Sequence, residues 1–293
     1  MQYPGPFDIQ RVLESQWDAV DPAFLFKDVS LEDFRRTRTV TDPRFSAVEN
    51  GLLRVSFQSF VVRTPQGTLL VDTCVGNHKE RLMLPEWHQQ EFPYLDRLRK
   101  TGLTPADIDF VCCTHLHGDH VGWNTRLEND RWVPTFPKAK YLFADTEIAY
   151  WSQLHEAEPD NMYRQVWDDS VLPVLLSDQA ERVDSDAEIL SGVRLRPAPG
   201  HTPGNLVIEL NDGSARAVLA GDVVHHPVQI EQPHWCSNFD GDPDQARLTR
   251  SALLEKLADT DTIMLPAHFA APTAVRILSE ADGFFYATVA ADD

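Results

Sequence analysis

Thr114-His115-Leu116-His117-Gly118-Asp119-His120-Val121-Gly122-Trp123-Asn124, residues 114–124, decides how the chain is read, because its core sets three histidines and an aspartate in six positions. Read as H-x-H-x-D-H, the run is too dense in ligand residues for a scatter of surface histidines. Imidazole nitrogens and a carboxylate oxygen suit zinc and other borderline first-row divalent metals, each taking about four ligands. One short loop cannot complete a pair of such sites, so further ligands must come from elsewhere. The candidates are His201 in PGHTPGN, Asp222 in LAGDVVHH and His268 in LPAHFAAP, each just beyond a predicted strand.

Upstream of the cluster, Asp109 to Thr114 (DFVCCT) is a short β-prone run, which puts the cluster on a loop at a strand's end. Leu53 to Val62 and Leu69-Leu70-Val71, separated at Pro65-Gln66-Gly67, read as a hairpin. Phe92, Leu95 and Leu98 recur at helical spacing between Glu91 and Lys100, with Gly102 as the stop, and Thr104-Pro105 opens a short helical turn. Downstream, strands are expected at Lys140 to Phe143, Val193 to Arg196, Asn205 to Leu210 and Ala215 to Leu219, the last two joined through Asn211-Asp212-Gly213. Asp242-Pro243 starts a helix with Ala246, Leu253, Leu254 and Leu257 on its apolar face, before a strand from Thr262 to Leu265. Strands mixed with helices in this way indicate sheet covered by helices.

The chain has 293 residues, 42% of them hydrophobic, enough for a sizeable core, and no linker or repeat divides it. One domain over residues 1–293, with an amino-terminal extension of about 1–50, is therefore expected. A formal charge of -19 repels phosphodiester backbones and anionic membranes, so nucleic acid and membrane are not expected partners. A small neutral or weakly charged substrate fits this field. Cys74, Cys112, Cys113 and Cys236 form no CxxC pair, the amino terminus lacks a basic region followed by an apolar run, and no stretch is long enough to span a bilayer. A reducing cytoplasm is the expected compartment, and a homodimer is compatible with all of this.

The order H-x-H-x-D-H, then His, then Asp, then His, over about Leu53 to Phe269, resembles the metallo-β-lactamase superfamily. Val71-Asp72-Thr73 is similar to that family's early strand-end motif, with Cys74 where a glycine is common. The resemblance implies an α/β fold: a four-layer αββα sandwich of two mixed sheets flanked by helices, with the site along one edge. It also implies that His115, His117 and His201 hold one metal, that Asp119, His120 and His268 hold a second, and that Asp222 bridges them. Taken singly, Asp222 would be a turn residue and His268 a loop histidine; their joint occurrence in the family's order favours ligation.

Two divalent ions, zinc first and iron, manganese or cobalt as alternatives, would lower the pKa of a shared water and provide a hydroxide nucleophile. Asp119 is expected to handle the proton as well as ligate. Asp72 is a candidate to fix a ligand histidine from behind. Trp123, His225, His226 and Phe269 are candidates for the substrate pocket. His117 argues against the flavodiiron branch, which typically carries glutamate there, and Asp222 against lactamases with a cysteine ligand. Opening of a lactone or cleavage of a carboxylic ester is the leading expectation. A phosphotriesterase or β-lactamase is the alternative within hydrolases, and a mononuclear iron sulfur dioxygenase the alternative outside them.

Overall fold

Apolar runs too short for helices and bounded by turn residues set the strands, and the computed structural model, which describes residues 2–3, 7–82, 84–158 and 160–290, arranges them in two mixed sheets and a small two-stranded one. The first sheet runs, from Asp8–Val20, through Leu52–Thr64, Gly67–Val71, Phe110–Cys112 and Lys140–Ala144, to Ala180–Val183. Leu52–Thr64 and Gly67–Val71 form the expected antiparallel hairpin, with Thr64 opposite Gly67. The next three pairings are parallel, and Leu69, Leu70, Val71, Val111 and Tyr141 are fully buried, as strands covered on both faces must be. The second sheet is ordered Glu188–Leu190, Val193–Pro197, Leu206–Asn211, Arg216–Gly221, Ile263–Pro266, Val275–Glu280, Gly283–Thr288. All its neighbours are antiparallel except Arg216–Gly221 and Ile263–Pro266.

Most elements fall where the sequence puts them. The helix Tyr94–Lys100 starts three residues later than expected, because a residue preceding Pro93 is pushed out of helical conformation; Gly102, at φ +82°, follows it. Thr104 and Asp107 close a capping box over the turn Pro105–Asp107. Asp242 caps the helix Pro243–Leu257 by accepting from the Gln245 N–H at 3.0 Å. The four cysteines are free. Among the described residues, no helix is long and apolar enough to cross a membrane.

Several strands went unread in the sequence, Thr125–Glu128, Arg131–Pro134, Ala180–Val183 and Glu188–Leu190 among them. Asp8–Val20, within the stretch expected to be an extension, is a strand of the first sheet, and Val275–Glu280 with Gly283–Thr288 make a carboxy-terminal hairpin.

Two compact units divide the chain: Phe7–Ser15 with Phe57–Ala187, and Gln16–Ser56 with Glu188–Asp293. They are called here the His115 unit and the Asp222 unit. The core of the His115 unit gathers Tyr94, Leu98, Val111, Trp123, Tyr141 and Phe143; that of the Asp222 unit gathers Phe45, Val218, Leu254, Met264, Phe269 and Tyr286. In each, candidate functional side chains leave the carboxyl ends of parallel strands, the usual place for a site in such sheets. Asp72 follows Gly67–Val71, His115 lies past Phe110–Cys112, Asp222 follows Arg216–Gly221, and His268 lies past Ile263–Pro266.

Candidate metal centre

In the His115 unit, the turn after Val71 and the histidine loop are fastened backbone to backbone. Thr73 N–H donates to His120 O (2.8 Å), Gly122 N–H to Cys74 O (2.7 Å) and Trp123 N–H to Thr73 O (2.8 Å). The approach is so close that a Cβ on Gly122 would stand 1.8 Å from Val75 O. Cys74 occupies the left-handed region at φ +50°, a conformation that glycine adopts without strain.

This fastening presents the candidate ligand atoms. His115 Nε2 and His117 Nδ1 lie 3.1 Å apart, and the His115 and His120 rings are 4.0 Å apart. Asp119 Oδ2 lies 3.7 Å from His120 Nε2. Behind them, Asp72 Oδ1 accepts from Thr114 N–H (2.7 Å), while Asp72 Oδ2 lies 2.9 Å from His120 Nδ1. Glu147, unremarked in the sequence, accepts from Leu116 N–H (3.0 Å) and from the Trp151 indole (2.6 Å), tying the loop to the helix Asp145–Ala157. Tyr163 stacks on His117 with ring centroids 5.1 Å apart, and Trp151 meets both rings edge-on. Burial and the neighbouring Asp119 carboxylate push the Tyr163 hydroxyl up to about 12, so it is a neutral group at physiological pH.

Two buried ionisable clusters brace this loop. Glu14 is 1% exposed and accepts from the N–H groups of Val75 (2.9 Å) and Gly76 (3.0 Å) and from the Trp123 indole (2.6 Å). Arg81 makes a two-pronged pair with Asp169 at 2.8 and 3.0 Å, and the fully buried Lys79 lies 3.5 Å from the same carboxylate and over the Trp132 ring. Arg81 also packs against Gly118, where a Cβ would come within 3.2 Å of its Nε.

In the Asp222 unit, three imidazoles converge on one carboxylate. Asp222 Oδ2 lies 3.4 Å from His201 Nε2, 3.2 Å from His225 Nε2 and 3.1 Å from His268 Nε2. His201 Nδ1 is 2.9 Å from Asp240 Oδ1, and His268 Nδ1 is 2.9 Å from Ser56 O. A carbonyl only accepts, so His268 carries a proton on Nδ1, and as a neutral imidazole it turns a bare Nε2 toward Asp222; Asp240 favours the same tautomer in His201. Two Nε2 lone pairs facing a carboxylate repel it unless a cation lies among them. Ligands on a tetrahedral zinc site stand about 3.3 Å from one another, and the spacings in both units match that value. His201, His225 and Asp240 also bring ligand atoms within 4.8 Å of one another.

Three of the side chains expected at a substrate pocket pack inward instead. Trp123 is stacked on Tyr94 at 5.3 Å with its N–H held by Glu14. Phe269 is fully buried against Phe45. His226 has both ring nitrogens on backbone, Nε2 at 2.8 Å from Phe45 O and Nδ1 accepting from Val228 N–H at 3.2 Å, and burial holds its pKa down to about 4. Apolar position and full backbone bonding, invisible in the sequence, account for all three. Asp240 and the Ser56 carbonyl were missed because nothing local marks them: Asp240 is 39 residues from His201, and Ser56 is 212 from His268.

N-acyl homoserine lactonase of Bacillus thuringiensis is 26% identical over 231 residues, covering 74% of this chain and 82% of that protein. The corresponding lactonase of Bacillus cereus is 25% identical over 205 residues, covering 65% and 73%. Among solved structures, AidC, a dizinc quorum-quenching lactonase in complex with an N-acyl homoserine product, superposes with a TM-score of 0.81 at 20% identity, covering 100% of this chain and 97% of that one. The hydrolase AbOPH gives 0.79 at 21%, covering 100% and 98%. Both likenesses show the fold, the two mixed sheets with helices of metallo-β-lactamase proteins. The sequence profile of that family matches residues 57–268, and the chain belongs to the metallo-β-lactamase superfamily.

Proposed function

We propose that the chain is a dinuclear-metal hydrolase that opens a lactone ring, with His115, His117 and His201 holding one ion, Asp119, His120 and His268 the other, and Asp222 shared. The observation that carries the reading is the pair of histidines, His201 and His268, whose Nδ1 atoms face oxygen acceptors and whose Nε2 atoms face Asp222. The family's ligand order supports taking the ligands of both units as one set, serving one catalytic domain. Zinc suits the donor set best, with iron, manganese and cobalt as alternatives. When bound, such ions supply Lewis acidity that makes water a nucleophile near neutral pH and offsets charge developing on the carbonyl oxygen.

The chain's own groups do the rest. Asp119, partly exposed where the ligand histidines are buried, takes the proton released as water adds to the carbonyl carbon and returns it to the leaving alkoxide. Asp72 and Asp240 hold the rings of His120 and His201. Tyr163, half-buried and stacked on His117, offers an aromatic face to an acyl group. The relatives act on N-acyl homoserine lactones, and a neutral lactone suits a chain of charge -19.

The test is proton release by zinc-loaded protein on N-acyl lactones, aryl esters, a neutral phosphotriester and a β-lactam, beside Asp119→Ala. Lactones should react fastest, with the variant slower by at least about 100-fold. Faster turnover of the phosphotriester or β-lactam refutes the substrate assignment. Oxygen consumption with a persulfide by iron-loaded protein would make it a sulfur dioxygenase.

A further inference from the structure

The segment after the helix Asp145–Ala157 brings Tyr163 against the histidine loop of the His115 unit and fixes its backbone there. Its N–H donates to Asn161 Oδ1 at 2.8 Å, and its carbonyl accepts from Trp167 N–H at 3.1 Å. The ring is parallel to that of His117, with 12° between planes and 5.1 Å between centroids, and it meets Trp151 edge-on at 5.0 Å. Trp151 is itself tied by its indole N–H to Glu147, the carboxylate that also holds Leu116 N–H. A ring packed against two fixed neighbours has little freedom left to lose, so its hydroxyl is a preorganised group.

That hydroxyl is uncommitted. It makes no hydrogen bond among the described residues, and the side chain is half-buried rather than enclosed. Other donors beside the loop are engaged: the Trp151 indole gives to Glu147, the Trp123 indole to Glu14 and the Thr114 hydroxyl to Asp72. His115, His117 and His120 are candidate ligands, and Asp119, whose charge acts on the Tyr163 hydroxyl, only accepts as a carboxylate. Among these side chains the free neutral donor is the Tyr163 O–H.

An N-acyl lactone carries two carbonyls that make different demands. Metal ions, when bound, polarise the ring carbonyl. The side-chain amide carbonyl does not react, and set against an aromatic ring it gives up water that a protein donor must replace. We propose that Tyr163 is a specificity-determining residue whose hydroxyl donates a hydrogen bond to the amide carbonyl of an N-acyl lactone, so that the site selects such lactones over those with a plain alkyl chain. The inference rests on the lactone reading above and adds the substrate group that is read and the atom that reads it. This carbonyl is remote from the bond that breaks, so the contact is the same in ground and transition state; its loss raises KM and leaves kcat in place.

The test compares zinc-loaded wild type and Tyr163→Phe on an N-acyl γ-lactone and on a γ-lactone with an alkyl chain of equal length in place of the acyl-amide. Phenylalanine keeps a ring on His117, so fold and metal site are retained. The expected result is a kcat/KM lower by about three- to tenfold on the N-acyl lactone, carried by KM, with the alkyl lactone unaffected. Binding of the ring-opened N-acyl product, followed by calorimetry, should weaken by the same factor without any turnover. Equal losses on both lactones overturn the proposal, since the hydroxyl would then serve the ring or the metal site. Unchanged kinetics or unchanged product binding overturn it as well, and with an active wild type they refute the role of Tyr163 alone. A wild type that opens neither lactone refutes the lactone reading itself and this inference with it.

Discussion

Glu14→Gln should remove a pH dependence of stability that originates in the first long strand. Glu14 is buried, and burial, with Asp119 as a lesser contributor, raises its pKa from 4.5 to about 7 despite bonds from Val75, Gly76 and Trp123. The folded protein therefore holds a proton that the unfolded chain releases between about pH 4.5 and 7. Stability contributed by that proton is present at low pH and is lost as pH rises through the folded value; a difference of about 2.5 in pKa corresponds to about 3 kcal/mol. Glutamine has no proton to lose. Its single carbonyl oxygen can keep the Gly76 and Trp123 bonds made to Oε1, while the Val75 N–H bonded to Oε2 loses its acceptor at about 1–3 kcal/mol.

The variant should thus be less stable than wild type at pH 5, with the deficit shrinking by about 2.5 kcal/mol, or reversing, by pH 8. Urea unfolding of both proteins at pH 5, 6, 7 and 8 reads this directly, since titrations common to both cancel in the difference. Parallel stability profiles would show that Glu14 ionises normally and would refute the reasoning.

Three further expectations concern the same framework. Gly122→Ala places a methyl 1.8 Å from Val75 O, where only backbone can give way, and should lower the unfolding free energy by roughly 3 kcal/mol or more; wild-type stability in urea would contradict it. Asp240→Asn leaves the fold but weakens the acceptor that sets the His201 tautomer, so zinc affinity by chelator competition should fall about 10–100-fold, and an unchanged affinity refutes that role. Arg81→Ala leaves Asp169 with only the more distant Lys79 in a buried setting and should cost about 3–5 kcal/mol, a loss absent if the pair is dispensable.

How much was legible beforehand depended on how local each signal is. The strands Lys140–Ala144 and Arg216–Gly221 and the helix Pro243–Leu257 carry their own periodicity and caps, and they formed within one or two residues of the reading. The strand Asp8–Val20 did not show because buried Glu14 occupies a position where alternation calls for an apolar residue. That departure from pattern is itself the mark of its bracing role. The histidine cluster was visible because its ligands are neighbours in sequence. Its supports, Glu14 and Glu147, were not, nor was Asp240 behind His201, because a single acidic residue distant in sequence has no pattern to betray it. Trp123, Phe269 and His226 were misjudged by adjacency: being next to a ligand in sequence says nothing about which way a side chain turns. His268 after a strand and Asp222 after a glycine gained meaning only jointly, through the family's order.

The most direct test of the account is the initial rate of N-acyl homoserine lactone opening as zinc is added back to chelator-stripped protein, with bound metal measured alongside. A dinuclear lactonase should be silent when stripped and should regain full rate as zinc approaches about two equivalents per chain. Undiminished lactone opening by the stripped protein, or a plateau reached at a single equivalent, would contradict it.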